Sequence, residues 1–142
     1  MMIDHFSFRP ATSEEEQTTI RGLKDHTAKA GGLNTKDQPF AVLCHQNDEL
    51  IGSVIGKIFW NWLYLDLLWV HESYRGKGLG KRLMIETEAK AKQEKLTGIY
   101  LWTETWQAPA FYQKLGYEQF VDFDNFPPGF KRFGFRKYLH LK

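Results

Sequence analysis

Val70-His71-Glu72-Ser73-Tyr74-Arg75-Gly76-Lys77-Gly78-Leu79-Gly80 joins an apolar run, Trp62 to Val70, to a segment with helical spacing from about Leu79 to Lys95. A glycine-rich turn between a strand and a helix leaves the N–H groups of the helix's first turn without intrahelical partners, at the positive end of its dipole. Such a place binds phosphate. Glycines at 76, 78 and 80 remove Cβ atoms that would block the approach of a pyrophosphate, and Arg75 and Lys77 add positive charge. The glycines alone also fit a turn that merely permits tight helix–sheet packing. The run is not a P-loop: Gly80-Lys81 would need glycine at 75, where Arg75 stands, and Arg82 replaces the magnesium-binding Ser or Thr. It also misses the G-x-G-x-x-G spacing of a dinucleotide fingerprint, and what precedes it is no βαβ unit.

Working outward, Phe40 to His45 and Leu50 to Trp60 are apolar runs joined by Gln46-Asn47-Asp48-Glu49, a hairpin by its turn chemistry, and Asn61 separates the second from Trp62 to Val70. These predict three antiparallel strands in a meander. After the helix come a strand at Ile99 to Thr103, a short helix at about Ala108 to Leu115 and a strand at Tyr117 to Asp122, with Gly98 and Gly116 marking the helix ends. Pro127-Pro128-Gly129 turns the chain into a last strand, Phe133 to Leu141. Upstream, Ile3 to Arg9 alternates as a strand, and Ser13-x-x-Glu16 reads as a capping box for a helix with the stripe Ile20, Leu23, Thr27, Ala30, ended by Gly31-Gly32. The expected fold is α/β (α+β), a mixed, mostly antiparallel central sheet flanked by helices, in one domain over 1–142, without repeats or linker.

Composition agrees with a folded domain that needs no staple: 142 residues, 42% hydrophobic, 25% charged and a rich 15% aromatic. The single cysteine, Cys44, lies in an apolar run and reads as a small buried hydrophobe in a reducing compartment, in preference to a nucleophile. Asp4, His5 and Arg9 interrupt the N-terminal segment, unlike a signal peptide, and nowhere do about 18 apolar residues run together. The expectation is a cytoplasmic protein without membrane partners. Net charge is only +2, and Glu86 with Lys90 and Glu88 with Lys92 fall at helical spacing, a solvated face in preference to a nucleic-acid stripe.

The spacing Val70-x-x-x-Tyr74-Arg75-Gly76-x-Gly78-x-Gly80 resembles the acetyl-CoA signature of the GNAT superfamily of N-acetyltransferases, (Q/R)-x-x-G-x-(G/A), with Arg75, Gly78 and Gly80 at its fixed positions. Ala108-Pro109-Ala110-Phe111-Tyr112-Gln113-Lys114-Leu115-Gly116-Tyr117 is similar to the family's A-x-x-(L/F)-Y-x-x-x-G-(F/Y) segment, and Phe126-Pro127-Pro128-Gly129 before a strand resembles a small-protein subgroup with F-Q-A-P-x-F-Y. The resemblance covers Phe40 to Leu141; upstream only the coarse pattern agrees. Two positions depart from it: Glu72 stands where the family usually has Pro, and Thr105 where many members have Asn, which affects one pantetheine contact.

The resemblance implies acetyl-CoA as co-substrate, a primary amine as acceptor, direct attack in a ternary complex, no metal, and a homodimer, as in many relatives. It implies that the first strand end splays from its neighbour, so that the Val70 amide polarises the thioester carbonyl while Leu68 and Trp69 flank the pantetheine arm. The donor would then be held by Leu68, Trp69, Val70, Arg75, Gly76, Lys77, Gly78, Leu79, Gly80, Lys81, Ala108, Phe111 and Tyr112, with Tyr112 facing the CoA sulfur. The alternatives for these positions are a central core strand and an aromatic packed with Phe111 on the sheet.

Amine attack also needs a base. Asp66 is the only carboxylate within Trp62 to Val70, and simple alternation puts it on the face of Val70, where burial would raise its pKa toward neutrality. A structural Asp is the alternative, Glu104 is the second candidate, and a water relay would bypass both. His45 and His71 read as surface residues. Phe59, Trp60, Trp62, Trp102 and Trp106, with Asp66 and Glu104, would form an aromatic, acidic pocket for a cationic amine, unless the rings are only core. Two competing functions stand beside the enzyme: a non-catalytic GNAT-fold module that binds acyl-CoA, which retention of Tyr112 and the glycines argues against, and a nucleotide-dependent oxidoreductase, which the spacing disfavours.

Overall fold

Two pairs of residues with positive φ set the register of the first three strands. Asn47 (51°) and Asp48 (63°) join β1 (Gln38–Gln46) to β2 (Glu49–Phe59), and Trp60 (50°) and Asn61 (66°) join β2 to β3 (Trp62–Val70). Two-residue turns with both central residues left-handed match the twist of antiparallel strands. Asn61 is held further by the chain before the fourth strand: its side chain donates to Thr97 Oγ1 at 2.9 Å, and its carbonyl accepts from the Thr97 N–H at 2.8 Å.

The computed structural model describes residues 6–31 and 36–140 and divides the chain into two compact units, Met1–Thr35 and Lys36–Lys142. The first unit holds α1 (Ser13–Lys29). Its capping box lies one residue earlier than the sequence predicts: Thr12 accepts from the Glu15 N–H at 3.1 Å, and Glu15 accepts from the Thr12 N–H at 2.9 Å. Both hydroxyl residues qualify as caps, and Arg9 decides between them by pairing with both Glu15 oxygens at 2.8 and 2.9 Å. That guanidinium, with the Thr12 amide, pulls the Glu15 carboxyl down to about 2. The strand expected over Ile3 to Arg9 is not formed at 6–9, where Pro10 and the Arg9 pairing lead into the helix; positions 3–5 lie outside the described residues. Gly31 does take the left-handed φ of 80° expected of a helix end, and Gly32 lies outside the described residues.

In the second unit the strands form one sheet in the order β1-β2-β3-β4-β6-β5, antiparallel except for β3 beside β4 (Gly98–Glu104), with β5 (Glu118–Asp124) on the far edge and β6 (Lys131–Tyr138) inside it. A single turn of 3-10 helix, Glu72–Tyr74, precedes α2 (Leu79–Gln93), the crossover from β3 to β4, and α3 (Pro109–Lys114) follows β4. The core lies where α2 meets the sheet: Leu83, Met84, Thr87 and Ala91 are buried at helical spacing together with Val54, Leu63, Ile99, Leu101 and Phe135. Thr87 tolerates that burial because its hydroxyl donates to the Leu83 carbonyl at 2.7 Å. The last strand stops at Tyr138, short of the expected Leu141, which lies outside the described residues.

Gly98 does not end α2. Lys95, at φ 60°, occupies the left-handed position, with its N–H on the Lys92 carbonyl and the Leu96 N–H on that of Ala91. Gly98 instead starts β4 under the Trp62 ring, where a Cβ would come within 2.6 Å of the ring and of the Lys137 carbonyl. Gly116, at φ 91°, does end α3.

Candidate active site

The ladder between β2 and β3 contains one extra residue. Ile55 faces Leu67 and Gly56 faces Leu65, so Asp66 is a β-bulge. Across it the core-facing set changes phase, from Leu63 and Leu65 to Leu68 and Val70. Asp66 is therefore not the buried carboxylate that alternation predicts: it is exposed, and among the described residues it has no ion-pair or hydrogen-bond partner.

Beyond the bulge, the His71 N–H donates to the Ile51 carbonyl at 2.7 Å, which makes Val70–Gly52 and Leu68–Val54 pairs that do not hydrogen-bond across the ladder. The N–H and C=O groups of Leu68 and Val70 consequently point away from β2. On that side β4 follows β3 only as far as Tyr64 opposite Tyr100, and then the two strands part. A cleft of about 770 Å³ opens between them. Leu68, Val70, Arg75 and Gly80 line it together with Ala108, Phe111 and Tyr112, and so do Tyr64, Asp66, Trp102, Glu104 and Arg132. Arg75 turns back to donate from Nε to the Val70 carbonyl at 3.0 Å, leaving the Val70 N–H as the open group at the strand end.

The glycines of the turn play different parts. Gly76 (74°) and Gly78 (82°) adopt left-handed φ, and Gly78 caps α2 without any side-chain bond, so the N–H groups of Leu79, Gly80 and Lys81 receive no side-chain cap. Gly80 lies in the helix beside the cleft, where a Cβ would stand 3.6 Å from the Phe111 ring and 3.8 Å from Val70 Cγ2. Gly76, Lys77, Gly78, Leu79, Lys81 and Trp69 do not line the cleft. Trp69 sits on the hydrogen-bonded side facing β2 with its ring edge-on to His71, and Lys77 and Leu79 border a smaller cavity of about 360 Å³ with Cys44, His45 and Arg82. Cys44 is partly buried against the core, and His71 accepts the Ser73 N–H at 3.0 Å, capping the 3-10 turn.

Tyr112 is 8% exposed, its ring packed among Phe111, Tyr117 and Phe135, yet its side chain borders the cleft. Among the described residues its hydroxyl has no hydrogen-bond partner. Burial pushes its pKa up to about 12, so it stays protonated throughout the working range. Its helix is fixed from behind: Lys137 donates to the Leu115 carbonyl at 2.8 Å and to Glu88 of α2 at 2.9 Å, and Tyr117 donates to the other Glu88 oxygen at 2.9 Å.

The aromatic, acidic pocket is corrected in two respects. Of the five rings, only Trp102 lines the cleft: Phe59 and Trp60 stack on each other at their turn, Trp62 packs against Tyr100 and Tyr138, and Trp106 is 59% exposed against Phe130. Nor is the pocket simply acidic, because Arg132, opposite Glu104 in the ladder, places its Nε 3.1 Å from Glu104 Oε1. Arg132 was beyond sequence reasoning: only the β4–β6 register brings it to this mouth. Thr105, which stands where many family members have Asn, ties the end of β4 to β6 by exchanging bonds of 2.9 Å with Lys131. Among the described residues no cluster of His, Cys, Asp or Glu could hold a metal, and no helix is long and apolar enough to cross a membrane.

Residues 4–117, which include this parted strand and the uncapped helix start, match the acetyltransferase (GNAT) family. The chain belongs to that family. A blasticidin-S acetyltransferase of Streptomyces morookaense is 44% identical over 88 residues, a match spanning 61% of this chain and 64% of that protein. The crystal structure of an acetyltransferase from Bacillus cereus superposes with a TM-score of 0.83 at 25% identity, covering 94% of this chain and 97% of that one. An aminoglycoside 6′-N-acetyltransferase complexed with coenzyme A shares the fold, with a TM-score of 0.68 at 20% identity over 74% of this chain and 75% of that one.

Proposed function

We propose that this GNAT domain, taken as residues 1–142, is an N-acetyltransferase that moves the acetyl group of acetyl-CoA to a primary amine by direct attack, with both substrates bound together. The observation that carries the reading is the open backbone edge of Leu68 and Val70 beside the uncapped first turn of α2. Acetyl-CoA supplies the thioester that is cleaved. The open edge fits the pantetheine amides, and the N–H groups of Leu79 to Lys81, with Arg75 and Lys77 nearby, fit the pyrophosphate. The amine nitrogen bonds to the carbonyl carbon as the carbon–sulfur bond breaks. The Val70 N–H holds the carbonyl oxygen as it gains negative charge, and the Tyr112 hydroxyl donates to the departing sulfur.

The amine's proton goes to a carboxylate at the other side of the cleft. Asp66, unpaired and exposed, is the freer base, whereas Glu104 shares its charge with Arg132. Asp66→Asn should therefore lower kcat/KM by about 10²-fold or more, with a smaller effect from Glu104→Gln. Unchanged rates and pH profiles in both variants would exclude base catalysis by either.

The relative named for blasticidin S suggests an amine-bearing antibiotic as acceptor. Thermal shift with acetyl-CoA, CoA, NAD and ATP tests the donor, since a ligand at 100 times its Kd adds about 2.7 kcal/mol of stability. A panel of amines that includes blasticidin S, spermidine and a lysine peptide, read by release of free CoA, tests transfer. Stabilisation by CoA without turnover of any amine would point to a binding module instead.

A further inference from the structure

Arg132 has the geometry of a group held ready for a ligand. Its Nε lies 3.1 Å from Glu104 Oε1, but the N–H does not point at that oxygen, so the contact is a charge pair and the Nε–H is a buried donor with no acceptor. Among the described residues its terminal nitrogens have no hydrogen-bond partner either. A guanidinium kept only to neutralise Glu104 would align its fork with the carboxylate. Here the plane is set by rings instead, with Cζ 5.2 Å from the Trp102 centroid and 4.9 Å from that of Phe126. Phe126 is itself positioned by the β5–β6 loop, which closes through the Phe126 N–H on the Phe130 carbonyl and the Phe130 N–H on that of Pro127.

We infer that Arg132 is a specificity residue that reads a carboxylate on the acceptor, so that the preferred acceptor carries an anionic group as well as the amine to be acetylated. The inference rests on the acetyltransferase reading above. Asp66 and Arg132 line one cleft, so the acceptor half offers an unpaired anion and a cation that, beside its charge pair with Glu104, keeps donors without acceptors. A purely cationic amine satisfies Asp66 but leaves the Arg132 donors cut off from water once it fills the cleft. An amphoteric amine satisfies both, and a planar carboxylate matches the two-pronged edge of a guanidinium. Sites built on such donors reject analogues lacking the acceptor group more strongly than apolar sites reject a missing methylene.

The test compares amines that differ only in that group: lysine with lysinamide, 6-aminohexanoate with 6-aminohexanamide, and 4-(aminomethyl)benzoate with its benzamide, alongside putrescine and spermidine. The wild-type protein should favour the carboxylate member of at least one pair by about 10- to 100-fold in kcat/KM. Arg132→Gln should abolish that lead, and Arg132→Lys should restore only part of it, with the loss in the acceptor term and not in KM for acetyl-CoA. Preference for the amide members, acetylation of putrescine and spermidine alone, a lead that survives Arg132→Gln, or a rise confined to the acetyl-CoA KM would each overturn the assignment while leaving acetyl transfer intact. Release of CoA from no amine would remove both readings together. If Arg132→Gln fails to fold, Arg132→Lys carries the assignment to this side chain, and the wild-type preferences still decide whether a carboxylate is read.

Discussion

Tyr112→Phe should lower kcat by about 10- to 10⁴-fold while KM for acetyl-CoA and the melting temperature stay close to wild type. The ring is what packs against Phe111, Tyr117 and Phe135, and phenylalanine keeps it. The hydroxyl has no partner among the described residues, so its removal breaks no internal bond. With its pKa pushed up to about 12, the phenol keeps its proton beside a thiol whose reference value is about 8.5, and full transfer would be uphill. On the proposed mechanism its contribution is a hydrogen bond to the sulfur that strengthens as charge develops there. Two further results follow from that value. The wild-type rate should show no limb from Tyr112 below about pH 11, and the variant should be slower by the same factor across pH 6 to 9. A variant that turns over at the wild-type rate would return Tyr112 to a packing role, as would one that melts far lower.

The second large effect lies at Gly80. A Cβ there meets the Phe111 ring at 3.6 Å and Val70 at 3.8 Å, which are ordinary contacts, so alanine fits. The branched methyls of valine have nowhere to go but against Phe111 or into the cleft beside the first N–H groups of α2. Gly80→Val should weaken acetyl-CoA binding by about 100-fold or more, equivalent to about 2.8 kcal/mol, with the protein still folded. Titration calorimetry with acetyl-CoA, read beside a melting curve, separates these effects. Near-normal affinity in the folded variant would remove the pyrophosphate from this turn. Gly78→Val would be a poorer probe, because its left-handed φ of 82° strains any side chain whether or not a ligand is present.

The order of strands and helices in the second unit was readable because each signal is local: Asn47-Asp48 for a hairpin, glycines before a helical stripe, and Gly116 after a short helix. Boundaries slipped where two residues could do the same work. Thr12 and Ser13 can both cap, and Arg9 chose by pairing with Glu15. Lys95 took the left-handed position usually given to glycine, because the pair of closing hydrogen bonds compensated it. One wall of the cleft was legible, since Val70, Arg75, Gly80, Phe111 and Tyr112, which line it, are adjacent in two short stretches. The opposite wall was not. Arg132 meets Glu104 only through strand register, and most of the tryptophans found neighbours elsewhere that no pattern along the chain announces.

The residue left out of the ladder at position 66 makes strand register a determinant of the surface that the cleft presents. If Asp66 were drawn into the ladder opposite Ile55, so that β2 and β3 paired residue for residue beyond Leu65, every residue from Leu67 to Val70 would turn to the opposite face. Leu67 and Trp69 would enter the core, while the amides now aimed into the cleft would be absorbed by β2. Such a chain would keep its composition, its glycine turn and its tyrosine, and could still fold, with no edge left for a thioester to lie along. Grafts of the cleft onto other scaffolds must therefore carry the irregularity with them.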